Sequence, residues 1–189
     1  MEKIQGYDEA TPITGEYERV EAGGYICEII SAKEEKSQSG KKMLVIALDI
    51  TDGEHKGYFQ RRFKELQKAN NDPNKTVKYP SGAVYRQMLE GEKAAGFLKG
   101  LMTSLEESNN NFKWDWDEKK LKGLKCGAIF GEEEYQGNDG KTKTTTKIRW
   151  IRSTQTIEDG KFEIPEKKKL ATQSNIFNDV ESDDDDLPF

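Results

Sequence analysis

Residues 124–154 hold the feature that most narrows the choice of fold. An apolar run, LKCGAIFGEEEY, a turn, QGNDGK, and a β-branched run, TKTTTKIRWIRST, follow one another without a break. Asn138, Asp139 and Gly140 are the residue types that a tight reversal needs, because Asn and Asp tolerate positive φ and Gly adopts it freely. The stretch therefore predicts an antiparallel hairpin. A second one is written earlier in the chain. GGYICEIISAKEEK reads as a strand, SQSGKK as a turn, and MLVIALDITDGEHKGYFQRRF as a long strand interrupted near Asp52-Gly53. In the first of these runs Ile26 and Ile30 share one face while Tyr25, Cys27 and Ile29 share the other, as suits a curved barrel strand.

Helical spacing enters between the hairpins. GEKAAGFLKGLMTSLEESNNN places Ala94, Phe97, Leu98, Leu101, Met102 and Leu105 on one face, and residues 63–70 read as a shorter helix. Gly96 and Gly100 each weaken the longer helix by about 1 kcal/mol, which predicts close packing against a neighbour there. Two hairpins around an amphipathic helix give a mostly β expectation. It is an OB-like small antiparallel barrel with one or two inserted helices and a disordered acidic C-terminal tail. The expected divisions are a loosely packed lead-in at 1–22, the barrel domain at 23–157, a linker at 158–178 and the acidic tail at 179–189.

Charge is unevenly placed. The 189-residue chain carries −5 overall, yet residues 179–189 hold six acids and no base, so the rest has 30 bases against 29 acids. Two cysteines, Cys27 and Cys126, lie in apolar runs and read as free buried thiols. With one histidine, His55, a zinc site is not expected, and no other metal or cofactor is expected either. No apolar run approaches the roughly 20 residues of a membrane span, and MEKIQGYDEA lacks the apolar stretch of a signal peptide. The expected location is the cytoplasm, with no membrane partner.

Two clusters point to nucleic acid. In the last β-branched run Lys141, Lys143, Thr145, Lys147 and Arg149 fall on one face, opposite Thr142, Thr144, Thr146, Ile148 and Trp150. Cations recurring every roughly 6 to 7 Å along a strand match the phosphates of an extended single strand, whose binding releases counterions. They equally suit a solvent-facing edge whose lysines discourage pairing. In GYFQRRF, Tyr58, Phe59 and Phe63 interleave with Arg61 and Arg62, a pattern that can stack bases and hold phosphates. Phe59 and Phe63 also suit a core position, which leaves Tyr58 as the better stacking residue. Trp150 is a stacker or a core residue; Trp114, Trp116 and Tyr135 read as packed. Asp49, Asp52 and Glu54 with Glu132, Glu133 and Glu134 could gather a divalent metal for nuclease chemistry, but their spacing fits no motif. GxxxxGK[ST], GxSxG and HExxH are absent, so no catalytic residue is assigned and no enzyme is expected.

The chain closes on Asp183, Asp184, Asp185, Asp186, Leu187, Pro188 and Phe189. Acids alone would make a solvated tail, but Leu187 and Phe189 cost solubility unless captured. Pro188 holds Leu187 extended, and Phe189 offers a ring and a carboxylate to an apolar pocket rimmed by bases. This ending resembles the acidic tip of bacterial and phage single-stranded-DNA-binding proteins. The body more loosely resembles a phage-encoded group with the elements GGY, SxSGKxM, DGEHKG and LKGLKCG. The resemblance implies an OB-fold body that coats single-stranded DNA with little sequence preference. It also implies a tip that recruits replication and recombination proteins, and is compatible with a homo-oligomer. The residues expected to meet DNA are Tyr58, Arg61, Arg62, Lys141, Lys143, Lys147, Arg149 and Trp150. The rival expectation is an interaction adaptor that binds no nucleic acid, and the third a metal-dependent nuclease.

Overall fold

The computed structural model describes residues 19–72 and 74–170. Residues 1–18 of the expected lead-in, 171–178 of the expected linker and the tail with its tip Asp183, Asp184, Asp185, Asp186, Leu187, Pro188 and Phe189 lie outside the described residues. Five strands form one antiparallel sheet: β1 (Gly23–Lys36), β2 (Lys42–Ile50), β3 (Val84–Met88), β4 (Lys125–Gln136) and β5 (Thr142–Arg152). Their order is β3-β2-β1-β4-β5. The sheet curls until its edge strands β3 and β5 approach within 8 Å, Cα to Cα. This is a small OB-like barrel with mostly β content, as the two turn signals require.

β1 makes the curl possible. Its first half pairs with β4, Gly23 opposite Phe130 through Glu28 opposite Lys125, and its second half pairs with β2. A bulge between Ile29 and Ser31 breaks the register with β2, and such bulges bend a strand and increase its twist. Cys27, Ile29, Leu44, Ile46, Leu48, Ile50, Cys126, Ala128, Phe130, Ile148 and Ile151 point inward and form the core. Cys27 and Cys126 face each other across β1 and β4 as free, fully buried thiols, and burial pushes Cys126 up to about 12.

Two helices are inserted and a third follows the sheet. α1 is Tyr58–Lys68, α2 is Ala94–Ser108 and the short α3 is Thr154–Glu158. α2 packs Leu101, Met102 and Leu105 against β3, β4 and β5 and closes one end of the barrel. Gly96 and Gly100 differ from expectation: a Cβ at either would meet nothing within 4 Å. They face open space, so nothing offsets their backbone entropy. Gly96→Ala and Gly100→Ala should each stabilise the protein by about 0.5 to 1 kcal/mol, read as a melting temperature higher by roughly 2 to 4 °C.

α1 corrects the longer strand expected through GYFQRRF. Helical geometry places Phe59, Phe63 and Leu66 on one side at i, i+4 and i+7, and only Phe59 reaches the core, its ring stacked 5.8 Å from Phe130. Residues 161–170, expected within a linker, lie against the barrel instead. A Cβ on Gly24 would strike the Phe162 ring, and one on Gly131 would lie 2.6 Å from Pro165. Lys168 donates its backbone N–H to the Glu132 carbonyl at 3.0 Å and accepts from Glu134 N–H at 2.8 Å, adding a parallel bridge to the free edge of β4. Val20, in the expected lead-in, is buried in the core. Among the described residues no helix is long and apolar enough to cross a membrane.

Candidate nucleic-acid interface

The β4–β5 hairpin presents one outer face. Tyr135 lies opposite Lys143, Glu133 opposite Thr145 and Gly131 opposite Lys147. The cations expected on this face are there, but acids accompany them. Lys147 and Arg149 both pair with Glu133, the latter at 3.1 Å, and Lys143 pairs with Asp139 at 3.2 Å. Burial pushes the Glu133 carboxyl up, yet Lys147 and Arg149 together hold it below its ordinary range. Lys141 is exposed at the hairpin tip. The stripe is therefore a row of ion pairs that a phosphate chain would have to compete for, rather than a bare cationic line.

Trp150 departs from the period-2 count. Ile129 pairs with Trp150 and Phe130 with Ile148, which leaves Arg149 as an extra, bulged residue. After a bulge the alternation shifts by one, so Ile151 takes the buried position and Trp150 turns to the outer face. Its ring lies 5.9 Å beneath the Arg152 guanidinium, a cation–π contact. Trp150 thus joins the cation face it was expected to oppose.

α1 brings its own part of the site. Its N-terminal residue Gly57 has a left-handed backbone and no capping side chain, so the first N–H groups need an acceptor from elsewhere. Asp49 of β2 supplies it. Its Oδ1 accepts from the N–H groups of Ile50 and Phe59, each at 3.0 Å, and Gln60 adds a further backbone bond. Burial raises the Asp49 carboxyl above its ordinary value despite these bonds. Asp49 is therefore engaged as a remote helix cap. Glu132 is held by Arg19 at 2.7 Å and Glu134 by Lys167 at 3.2 Å. Among the described residues no three His, Cys, Asp or Glu gather as a metal ion would require.

Tyr58, Arg61 and Arg62 start α1, and two of them share a groove with β5. A groove of about 350 Å³ is lined by Tyr58, Phe59 and Arg62 from α1, Thr145 and Thr146 from β5, and Arg19, with Ser81 and Gly82 at its rim. The short 3₁₀ turn at Ser81–Ala83 reaches β5 so closely that a Cβ on Gly82 would lie 2.6 Å from the Thr146 carbonyl. Only glycine allows this approach. Arg61 turns away from the groove, donating to the Lys56 carbonyl. The Thr146 hydroxyl is buried and has no hydrogen-bond partner among the described residues. Of the residues expected to meet DNA, Tyr58 and Arg62 thus share a groove with β5, Lys143, Lys147, Arg149 and Trp150 lie along that strand, and Lys141 stands in the turn before it.

Two aromatics expected to be packed are exposed. Tyr135 is 43% exposed beside Lys143, and Trp116 is 78% exposed with a left-handed backbone at φ 69°. That conformation costs an L-residue about 1 to 2 kcal/mol. Trp116→Gly should therefore raise rather than lower the melting temperature. A clear fall in thermal unfolding would show that the ring's contact with Trp114, centroids 6.0 Å apart, outweighs the backbone strain.

Comparison with known proteins adds one finding. A family described as "Protein of unknown function (DUF669)" matches residues 7–95, a span that takes in β1, β2, α1, β3 and the start of α2 but leaves out the β4–β5 hairpin. No curated protein matches the chain.

Proposed function

We propose that this chain is a single-stranded-DNA-binding protein that coats the strand with little sequence preference. The observation that carries the reading is the groove itself, where the Tyr58 ring, against the buried Phe59, stands beside Arg19 and Arg62 at β5 of an OB-like barrel. Aromatic faces accept any base, at about 1 to 3 kcal/mol per stacked base, while guanidinium groups meet phosphate or stack. The β5 face extends that groove with Lys143, Lys147, Arg149 and Trp150, a path for several consecutive phosphates. On this reading the segment before the tail runs beside the same hairpin as far as Leu170, whose N–H reaches Glu134 Oε2 at 3.3 Å. The tip from Asp183 to Phe189 then recruits replication and recombination proteins in the host cytoplasm. No catalytic step is assigned.

One observation favours the rival adaptor. Every cation of the β5 face that is ion-paired has an acid from the same hairpin beside it, so Asp139 and Glu133 offset two of the three charges of Lys143, Lys147 and Arg149. Fluorescence anisotropy of labelled oligo(dT), titrated at low and moderate salt with duplex DNA as competitor, separates the two. Binding that weakens steeply with salt and resists duplex is the expected result. No binding at low salt would leave the adaptor.

A further inference from the structure

The groove beside β5 has a neighbour built into the chain. Arg19 and Val20 line it, and Arg19 is the first of the described residues. Tyr17 stands two residues earlier, so its Cα lies within roughly 7 Å of the Arg19 Cα. The composition of this preceding segment complements the groove. Residues 7–18, YDEATPITGEYE, hold four acids and no base, with Tyr7, Ile13 and Tyr17 as large apolar side chains. The groove is lined by Arg19 and Arg62, whose side chains are 48% and 39% exposed, and by Tyr58, Leu66 and Pro80. Leu66 shares a side of α1 with the buried Phe59, yet it is 37% exposed and offers apolar surface at the groove.

We infer that residues 7–18 dock into this groove in the free protein, Tyr17 against Tyr58 and Leu66 and the acids beside Arg19 and Arg62, and that a single strand must displace them. The displacement rests on the single-strand reading and adds a regulation of the same site; the docking itself does not depend on it. Ordering a segment costs about 1 to 2 kcal/mol per residue, which a separate peptide would not recover from one ring and a few ion pairs. Covalent attachment changes that balance. A short tether holds its end at an effective concentration in the millimolar range, so a contact too weak to retain a free peptide suffices. Arg19 already pairs with Glu132 at 2.7 Å and Arg62 with Glu65 at 3.4 Å, but a guanidinium carries five N–H donors and accommodates a second carboxylate. The ending from Asp183 to Phe189 has similar chemistry, yet twelve residues separate it from Leu170, and the longer tether lowers its effective concentration at the groove.

Nuclear Overhauser contacts of the Tyr17 ring, recorded on the full chain, give the direct test. They should reach Tyr58 and Leu66 in the free protein and vanish when oligo(dT) is added. Contacts from Phe189 in their place, or none from residues 7–18, would overturn the docking. Contacts that persist with oligo(dT) bound would make the segment a fixed wall and overturn the displacement. Affinity supplies the second arm. Tyr17→Ala alters no charge, so electrostatic steering does not confound it. A segment docked about four-fifths of the time lowers the apparent affinity about fivefold, so Tyr17→Ala should bind oligo(dT) about three- to fivefold more tightly than wild type. Glu16→Gln combined with Glu18→Gln should act in the same direction, most visibly at low salt, where screening is weak. Equal or weaker binding by Tyr17→Ala would overturn the displacement. An absence of oligo(dT) binding by wild type, with the Tyr17 contacts present, would overturn the single-strand reading and the displacement together and uphold the docking.

Discussion

Asp49→Ala should destabilise the protein by about 3 kcal/mol, the largest loss expected from any polar substitution in the barrel. The carboxylate accepts the N–H groups of Ile50 and Phe59 at a position only 3% exposed. Alanine leaves those donors buried and unpaired, and α1 has no cap of its own because Gly57 stands at its start. The effect should reach the groove. Tyr58, Phe59 and Arg62 belong to the first turns of α1, so fraying there displaces the aromatic wall and one guanidinium together. Chemical denaturation and oligo(dT) affinity should therefore fall in parallel. Asp49→Asn separates acceptor from charge: it keeps an oxygen for the N–H groups and should hold both measurements near wild type.

The same pair reports on pH. Burial raises the Asp49 carboxyl above 3.8, so the folded state holds that proton more firmly than the unfolded chain does. Stability from this group is thus fully present below pH 3.8 and is lost as pH rises through the raised folded value. Glu133 works in the opposite sense. Its carboxyl is lowered from 4.5, so its contribution is present above that value and is lost on acidification. Comparing acid unfolding of wild type with Asp49→Asn and with Glu133→Gln should show shifts of opposite sign.

What could be read from the residues, and what could not, follows from how local the causes are. The hairpins were legible because Asn138, Asp139 and Gly140 carry their own turn, and Gly40, at φ 84°, carries the other. The helical α2 face was legible for the same reason, since Leu101, Met102 and Leu105 lie within two turns. α1 was not. Six residues of alternating aromatics and arginines mimic a strand, while the acceptor that starts the helix lies on β2, ten positions from Phe59. Trp150 was misplaced because nothing in TTKIRWIR marks Arg149 as the bulged residue. Docking of residues 161–170 depends on Gly24 and Gly131, which make room for Phe162 and Pro165 from far away in the chain. The counter-charges of the β5 face had a usable signal. Counting back across the Asn138-Asp139-Gly140 turn sets Glu133 opposite Thr145, one step from Lys147.

That counter-charge sets the second large effect. The Glu133 carboxylate pairs with both Lys147 and Arg149, with its own side chain only 17% exposed. Glu133→Gln should cost at most about 1 kcal/mol of stability, because its partners are partly solvated and such pairs contribute little. Its effect on DNA should be far larger. Two cations released toward the strand can each neutralise a phosphate, and each such contact on a single strand steepens the dependence of log affinity on log salt by about 0.7. At about 0.1 M salt one added contact alone tightens binding roughly fivefold. Glu133→Gln should therefore bind oligo(dT) more tightly and with a steeper salt slope, and adding Lys147→Gln should return both toward wild type. An unchanged slope would mean that the β5 face does not touch the strand. Base stacking in the α1 groove would then have to supply the affinity alone, and binding would lose little as salt rises. The slope thus decides between a protein that follows the backbone along β5 and one that grips single bases beside it.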